Sequence, residues 1–384
     1  MGEHAFLSAS SAEKWLNCIP SARLESTFDD ESSESAQEGT LAHSLAELKS
    51  RKYFTKMTKK AYTTEYNKLK KDGLFTKDMD NYTDEYLEYL KDIAFKTDIP
   101  PHIGFETKID YSDIAPKGFG TVDCFMIRNG VLHIIDFKYG KTIPVSSKNN
   151  PQLKLYALGV LKKYSALFSI TDIILHIVQP RIKNTSKWEI AADDLYSWAE
   201  TVKPIAKLAF DGTGEHKVGP WCDSHFCKGR PLCRVYMEQM KAVKPFIEKQ
   251  PDTLTNEEVG QALTLAADIK KWYSLLESFT QKTILSGETI PGWKVVEGRS
   301  NRAFDNIDQA FKVLINSGID EAVLYKRQPI TLTECEKIMG KKDFEGILKE
   351  HITKPQGKPT VVPESDTREP FNPALNDFKD IVTQ

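Results

Sequence analysis

The spacing of apolar and polar residues changes character twice along the 384-residue chain, and each change predicts a different kind of element. The first hundred residues carry helical spacing. SASSAEKWLNC opens with serines suited to a helix N-terminus and continues with Trp15 and Leu16. DDESSESAQEG reads as a polar acidic loop, and TLAHSLAELKSRKYF as an amphipathic helix with Leu41, Leu45 and Leu48 on one side. A further helix, acidic and rich in tyrosine, is predicted over Asn81 to Ala94.

After Pro100 and Pro101 the period shortens to two. IGFETKIDYS, GFGTVDCFMI and VLHIIDFKYG read as strands. PQLKLYALGVLKKY, opened by Pro151, reads as a helix. DIILHIVQP is apolar almost without a break and reads as a strand inside a sheet. DDLYSWAETVKPIAKLAF returns to helical spacing. Past about residue 245, NEEVGQALTLAADIKKWYSLLESFTQKTIL predicts a long helix and GWKVVEGRSNRAF a strand pair. Short helices follow at Ile307 to Ser317 and Thr331 to Leu348, and there is no internal repeat. The pattern predicts an α/β fold with a mixed central sheet flanked by helices. It divides the chain into an N-terminal helical region (1–100), a core followed by a cysteine cluster (101–240), an α-rich segment (245–352) and an extended tail (353–384) rich in proline and charge.

Length and a 40% hydrophobic content allow two or three domains. The formal charge of −2 excludes a globally basic protein, so nucleic-acid contact requires a local patch. One such stretch runs from Lys49 to Lys71, where nine basic residues meet one acid, Glu65, among Tyr53, Phe54, Tyr62 and Tyr66. It reads either as a solvated helix face or as a DNA-backbone groove with stacking aromatics. No stretch approaches the length of apolar sequence a membrane span needs. MGEHAFLSAS lacks secretory features, and Gly2 with Ser8 is a poor match to a myristoylation signal. A soluble cytoplasmic protein is expected. Of the six cysteines, Cys222, Cys227 and Cys233 fall in WCDSHFCKGRPLC with C-x4-C-x5-C spacing. Clustered cysteines in a reducing compartment point to metal rather than to disulfides.

Asn129-Gly130 is the sharpest local signal, a two-residue hairpin turn with positive φ at both positions. Arg128 then opposes Val131, and the same register sets Asp123 against Asp136. Two carboxylates about 5 Å apart at Cβ repel by roughly 3 kcal/mol at an effective dielectric near ~20. A bound divalent cation turns that repulsion into attraction. Lys138 shares the face of Asp136, two residues along. A one-residue slip would separate the aspartates onto opposite faces.

GTVD, ending at Asp123, and IIDFK, holding Asp136 and Lys138, resemble the signature of the PD-(D/E)XK nuclease superfamily. Three further matches are similar to its RecB-like branch. EGTLAH, ending at His43, resembles that branch's G-x-x-x-H helix, and Gln152 with Tyr156 its Q-x-x-x-Y motif. Cys18 upstream and the three later cysteines resemble the iron–sulfur variety found in AddB-type helicase–nuclease subunits and the CRISPR adaptation exonuclease. The downstream spacing exceeds the usual C-x2-C-x5-C by two residues. The likeness covers roughly residues 5 to 240. The whole chain, with KPTVVPESDTR near its end, also resembles an uncharacterised phage-associated family with the same core.

The resemblance implies a restriction-endonuclease-like core and metal-dependent hydrolysis of DNA. The expected activity is exonucleolytic, in phage-type replication or recombination, and the interleaved basic and aromatic residues of Lys49–Lys71 suggest single strands or ends as its substrate. It implies that His43, Asp123, Asp136 and the Phe137 carbonyl hold Mg²⁺ or Mn²⁺. Lys138 would orient water or stabilise charge, and Gln152 and Tyr156 would position the strand. Cys18, Cys222, Cys227 and Cys233 are expected to hold a [4Fe–4S] cluster, with a four-cysteine zinc site as the alternative. Glu106 reads equally as support for the metal or DNA and as an exposed strand residue, while Cys124 and Cys335 read as core. The rival function is an inactive nuclease fold kept for DNA binding or as a scaffold for replication or recombination proteins.

Overall fold

A computed structural model of the chain describes residues 5–28, 33–239, 241, 254–296, 306–325, 331–348 and 366–367. It divides into two compact units, residues 1–282 and 283–384. The first is built on a five-stranded mixed sheet flanked by helices. Strands β1 (His102–Asp110), β2 (Phe119–Arg128), β3 (Val131–Phe137), β4 (Asp172–Gln179) and β5 (Asn184–Ala191) lie in sequence order. All neighbours are antiparallel except β3 and β4. Helices precede the sheet as α1 (Ala12–Asn17), α2 (Ser21–Glu25), α3 (Glu34–Phe54), α4 (Lys59–Lys70) and α5 (Lys77–Ala94). Helix α6 (Pro151–Tyr164) makes the β3–β4 crossover and α7 (Ala192–Asp211) follows β5. Two short helices, α8 (Pro220–Ser224) and α9 (Arg234–Glu238), carry the late cysteines.

The local signals explain the elements closest to the candidate site. Asn129 and Gly130 adopt φ of +51° and +77°, as the tight hairpin turn requires. Asn150 caps α6 by accepting the Leu153 N–H, and Pro151 occupies the first turn, where its missing donor costs nothing. The buried run of β4 makes it an interior strand. The sheet has two covered faces. One packs Phe125, Leu132, Ile134 and Leu175 with α6, α7 and the N-terminal Leu7 and Trp15. The other packs Cys124, Met126, Ile135 and Phe137 with Leu41, Leu45, Met79, Tyr86 and Leu90 of α3 and α5. Cys124 thus points into the core, as expected.

Several boundaries differ from the sequence reading. Helix α3 starts at Glu34, so the end of the expected acidic loop is helical. Ser33 accepts the Ala36 N–H, and Glu34 complements the positive end of the helix. Helix α5 begins at Lys77 rather than Asn81, capped by Thr76. Strand β5 carries little apolar signal in the sequence, because only Trp188 and Ile190 interrupt its polar residues, as befits an edge. The Lys49–Lys71 stretch is not one face. Lys49 is buried, with its Nζ 2.8 Å from Asp80 and 2.6 Å from Asp84. Tyr62 stacks on Tyr66, Tyr66 meets the edge of Phe75, and Phe54 stacks on Phe95, so these aromatics pack on one another.

Helix Asn256–Leu285 matches the long helix expected there. In the second unit, helices Ile307–Asn316, Glu321–Leu324, Leu332–Met339 and Lys341–Leu348 are described. The single helix expected over Thr331 to Leu348 is therefore two, divided at Gly340, whose φ of +81° ends the first. Cys335 is half-buried on the first of them. The first residues of the expected strand pair, 292–296, form the end of a turn and irregular backbone, and its remainder lies outside the described residues. So does the 353–384 tail apart from residues 366–367. Among the described residues, no helix is long and apolar enough to cross a membrane.

Candidate metal centre and cysteine cavity

The β2–β3 ladder runs from Arg128 opposite Val131 to Cys124 opposite Ile135, the register that the Asn-Gly turn predicts. The next pair is Asp123 and Asp136. There a side chain takes over from the backbone, since the Phe137 N–H donates to Asp123 Oδ2 at 2.8 Å. Strand β1 joins at the same level. Phe105 opposes Cys124 and Thr107 opposes Val122, which leaves Glu106 facing Asp123. Both strands switch faces at this point. Phe105 packs with Cys124 on the α3–α5 side, whereas Ile109 and Val122, an even number of residues away, pack on the α6 side. Glu106 carries the distortion, with φ of +43°, a conformation a non-glycine residue adopts at a cost of order 1–3 kcal/mol.

Helix α3 supplies His43, held over the sheet by the buried Leu41, Ala42, Leu45 and Ala46. Its Nδ1 lies 3.3 Å from Asp123 Oδ1, and its ring meets Phe137 at 5.3 Å between centroids. Near the start of α3, Glu38 pairs with Arg181 at 3.1 Å, which ties the helix to the turn after β4. One ligand atom from each of His43, Glu106 and Asp123 falls within 4.8 Å of the others, a group able to hold a metal ion.

Asp136 stands next to this triad in a polar cluster of its own. Lys138 Nζ lies 3.0 Å from Asp136 Oδ2 and donates to Gln152 Oε1 at 3.1 Å. Gln152 Nε2 reaches Asp136 Oδ1 at 3.3 Å and the Tyr156 hydroxyl at 3.2 Å. Asp136 Oδ2 is buried and faces the Lys138 ammonium. Gln152 and Tyr156, one turn apart on α6, therefore fix Asp136 and Lys138. Gly120 leaves room for this, because a Cβ there would lie 2.9 Å from the Tyr156 ring.

The electrostatics are those of crowded acids. Burial raises the Glu106 carboxyl to about 7, reinforced by repulsion from Asp123 and Glu47. Burial opposes a charged His43, but the Asp123 carboxylate outweighs it and lifts the imidazole to about 9. Asp123 resists its own burial through His43, Lys138 and the Phe137 N–H, and is held below the usual carboxylate range. Asp136 moves the other way, raised by burial and by Asp123 against the pull of Lys138. Tyr86 lies beneath the cluster, its buried hydroxyl without a hydrogen-bond partner and its ring 4.9 Å from Phe137.

Of the residues expected at a metal, the structure brings His43 and Asp123 together and sets Asp136 beside them. Phe137 serves through its N–H and its buried ring. Glu106 enters as a third convergent ligand, which sequence reasoning left as one of two readings. Its signal was the β1–β2 register, and residues 111–118 join those strands by a long turn that does not fix a register.

The four cysteines meet across nearly the whole unit. Cys18 ends α1, Cys222 lies in α8, Cys233 caps α9, and all three line one cavity with Cys227. Lys14, Lys217 and Arg230 line the same cavity. Backbone N–H groups of Lys217 and Tyr236 donate to Cys18 Sγ and Cys233 Sγ at 3.5 Å. Burial raises the thiols of Cys18, Cys222 and Cys227, the last to about 11. A bound cation reverses that tendency, since it stabilises thiolate.

Fold and sites together define an α/β protein with a candidate cation site where β1, β2 and α3 meet. The chain belongs to the family described as protein of unknown function (DUF2800), which it matches over residues 4–369. It is also similar to a solved structure titled "Crystal structure of SSO0001", at 15% identity over 57% of this chain and 96% of that one, with a TM-score of 0.25.

Proposed function

We propose that the chain is a metal-dependent deoxyribonuclease that hydrolyses phosphodiester bonds, with Mg²⁺ or Mn²⁺ held by His43, Glu106 and Asp123. The observation that carries this reading is the convergence of three ligands within 4.8 Å beside the Asp136–Lys138 pair. Without a cation the arrangement is unfavourable, because Glu106 and Asp123 face each other in a half-buried site. A hard divalent cation suits these oxygens, and one imidazole is compatible with Mn²⁺. Asp136, paired with Lys138 through Oδ2, adds a further carboxylate beside the three ligands.

A bound cation supplies Lewis-acid polarisation of a phosphoryl oxygen. The chain's own residues do the rest. Burial disfavours the Lys138 ammonium, but Asp136 and Asp123 hold its pKa above the ordinary range, so it stays a fixed positive charge. Aimed at a phosphate, it stabilises negative charge that develops during displacement. Gln152 holds the Lys138 ammonium and the Asp136 carboxylate in one geometry, and Tyr156 holds Gln152. The interleaved basic and aromatic residues of Lys49–Lys71 favour single strands or DNA ends, and the family resemblance favours phage-type replication or recombination.

We assign Cys18, Cys222, Cys227 and Cys233 to a [4Fe–4S] cluster, with zinc as the alternative. Tetrahedral zinc at a Zn–S distance of about 2.3 Å needs sulfurs roughly 3.8 Å apart. Among the described residues, the group with all ligand atoms inside 4.8 Å is His43, Glu106 and Asp123, not three of these sulfurs. Wider spacing favours the larger cluster.

The test of the activity is incubation of the full chain with end-labelled single- and double-stranded DNA in Mn²⁺, alongside Asp136→Ala and Lys138→Ala. Cleavage by the wild type and its loss in both variants supports the reading. Absence of cleavage by the wild type, or its survival in both variants, refutes it and leaves the DNA-binding scaffold.

A further inference from the structure

The chain is nearly neutral, yet residues 137–188 hold nine lysines and arginines and a single acid, Asp172. Most of these cations are engaged. Lys138 pairs with Asp136, Lys162 with Asp110 and Asp113, Arg181 with Glu38 and Lys187 with Glu189. Lys154 is buried against Asn149 and the rings of Trp188 and Trp198, and Lys163 donates to the Lys108 carbonyl. Lys141, Lys148 and Lys183 differ: they are exposed and make no ion pair among the described residues. Lys141 and Lys183 each follow the C-terminal end of a parallel strand, β3 and β4, by four residues, and Lys148 lies on the same β3–α6 loop as Lys141. That edge is where α/β sheets present ligand sites, and here it also carries Lys138.

The backbone that bears them is fastened. Gln179 is almost fully buried, and its amide donates to the carbonyls of Gly140 and Ile143 at 2.9 and 3.0 Å. Its oxygen accepts the Val145 N–H at 3.1 Å and Asn184 Nδ2 at 2.9 Å. Asn184 also donates to the Val145 carbonyl, and the Ser147 N–H to Ser186 Oγ. Loop 138–150 is thereby joined to the β4–β5 turn, where Lys183 sits at φ of +53°. Two unpaired cations on this hydrogen-bonded loop and one on the turn it is joined to present positive charge from an ordered backbone to an extended anion, so the backbone adds little ordering cost on binding.

We propose that loop 138–150 and the turn at 180–183 form a phosphate-binding ledge, on which Lys141, Lys148 and Lys183 hold the backbone of a DNA strand beside Lys138. The identity of the polyanion rests on the nuclease reading; the ledge itself rests on the charge and the hydrogen bonding.

The test measures binding of a fluorescein-labelled single strand to the full chain in EDTA, across a series of KCl concentrations. The proteins are the wild type, the Lys141→Ala, Lys148→Ala, Lys183→Ala triple variant, and a control carrying Lys162→Ala and Lys163→Ala. Each lost phosphate contact reduces the slope of log K against log salt by about 0.7 for single strands, so the triple variant is shallower by about 2. The control keeps the wild-type slope. An unchanged slope in the triple variant, an equal fall in the control, or no DNA binding by the wild type overturns the ledge. Because hydrolysis is not measured, a shallower slope in a protein that does not cleave DNA keeps the ledge and rejects the nuclease. Cleavage with an unchanged slope does the reverse.

Discussion

Glu106 gives the account its sharpest handle, because the crowding that makes it a ligand makes it a burden when no cation is present. Its carboxyl is displaced from 4.5 to about 7, first by burial and then by Asp123 and Glu47. At about 1.4 kcal/mol per pKa unit, that displacement corresponds to roughly 3 kcal/mol in a fully dry site. The residue is half-buried, and solvent screening reduces this to roughly 1–2 kcal/mol. The sign follows from proton linkage. Between 4.5 and about 7 the folded protein binds the proton that the unfolded chain has released, so stability falls as pH rises through that window. Above it the whole penalty is present. Glu106→Gln removes the charge while keeping the shape. Urea denaturation in EDTA should therefore show the variant gaining about 1–2 kcal/mol over wild type near ~pH 8 relative to their difference near ~pH 5. Mn²⁺ should stabilise the wild type more than the variant, by mass action on a site that has lost a ligand. A wild-type-to-variant difference that is the same at both pH values would refute the crowding argument.

Three other outcomes follow from the packing. Gly159→Ala should destabilise the protein by about 1–3 kcal/mol in urea, because its Cβ would lie 2.5 Å from Ile109 Cδ1; a gain, as helix propensity alone predicts, would show that α6 and β1 are not so close. His133 and His176 stack, share a 3.0 Å contact and bond onward to Tyr89, and burial lowers them to about 4 and about 3. Their stability contribution is complete above the unfolded histidine value and is lost as pH falls from 6.5 towards 4, by at most about 1.4 kcal/mol per pH unit for each proton. Replacing both with Gln should flatten that acid limb of the urea-stability profile, and an unaltered limb would place the titration elsewhere. Anaerobically purified wild type should be brown, with iron and sulfide by analysis, and Cys222→Ser should lose colour and protease resistance at the N-terminal helices; stoichiometric zinc would replace the cluster assignment.

The readable part of this fold is where local chemistry dictates geometry. Asn129-Gly130 set the hairpin, and the hairpin set Asp123 against Asp136, so a two-residue turn determined the placement of two site residues. Pro151 marked α6, and the spacing of Gln152 and Tyr156 then brought both onto the Asp136–Lys138 cluster. What escaped depends on contacts remote in sequence. Glu106 reaches Asp123 through a register that no tight turn fixes. Lys49 looked like part of a basic run because Asp80 and Asp84, its partners, lie a helix away. The start of α3 was hidden by polar residues that favour loops and caps alike, of which Ser33 proved to be the cap. The ledge was invisible for a similar reason: whether Lys141, Lys148 and Lys183 are free is known only once the other six cations of residues 137–188 have found their partners.

Everything proposed about catalysis depends on His43, Glu106 and Asp123 being one cation site. The direct measurement is anomalous diffraction from crystals of the full chain soaked in Mn²⁺. The account predicts one strong peak bonded to His43 Nδ1, a Glu106 oxygen and an Asp123 oxygen, with the 3.3 Å His43–Asp123 pair replaced by bonds to the ion. A crystal that keeps the His43–Asp123 pair intact, with no peak between them and Glu106 while Mn²⁺ binds elsewhere, would contradict it.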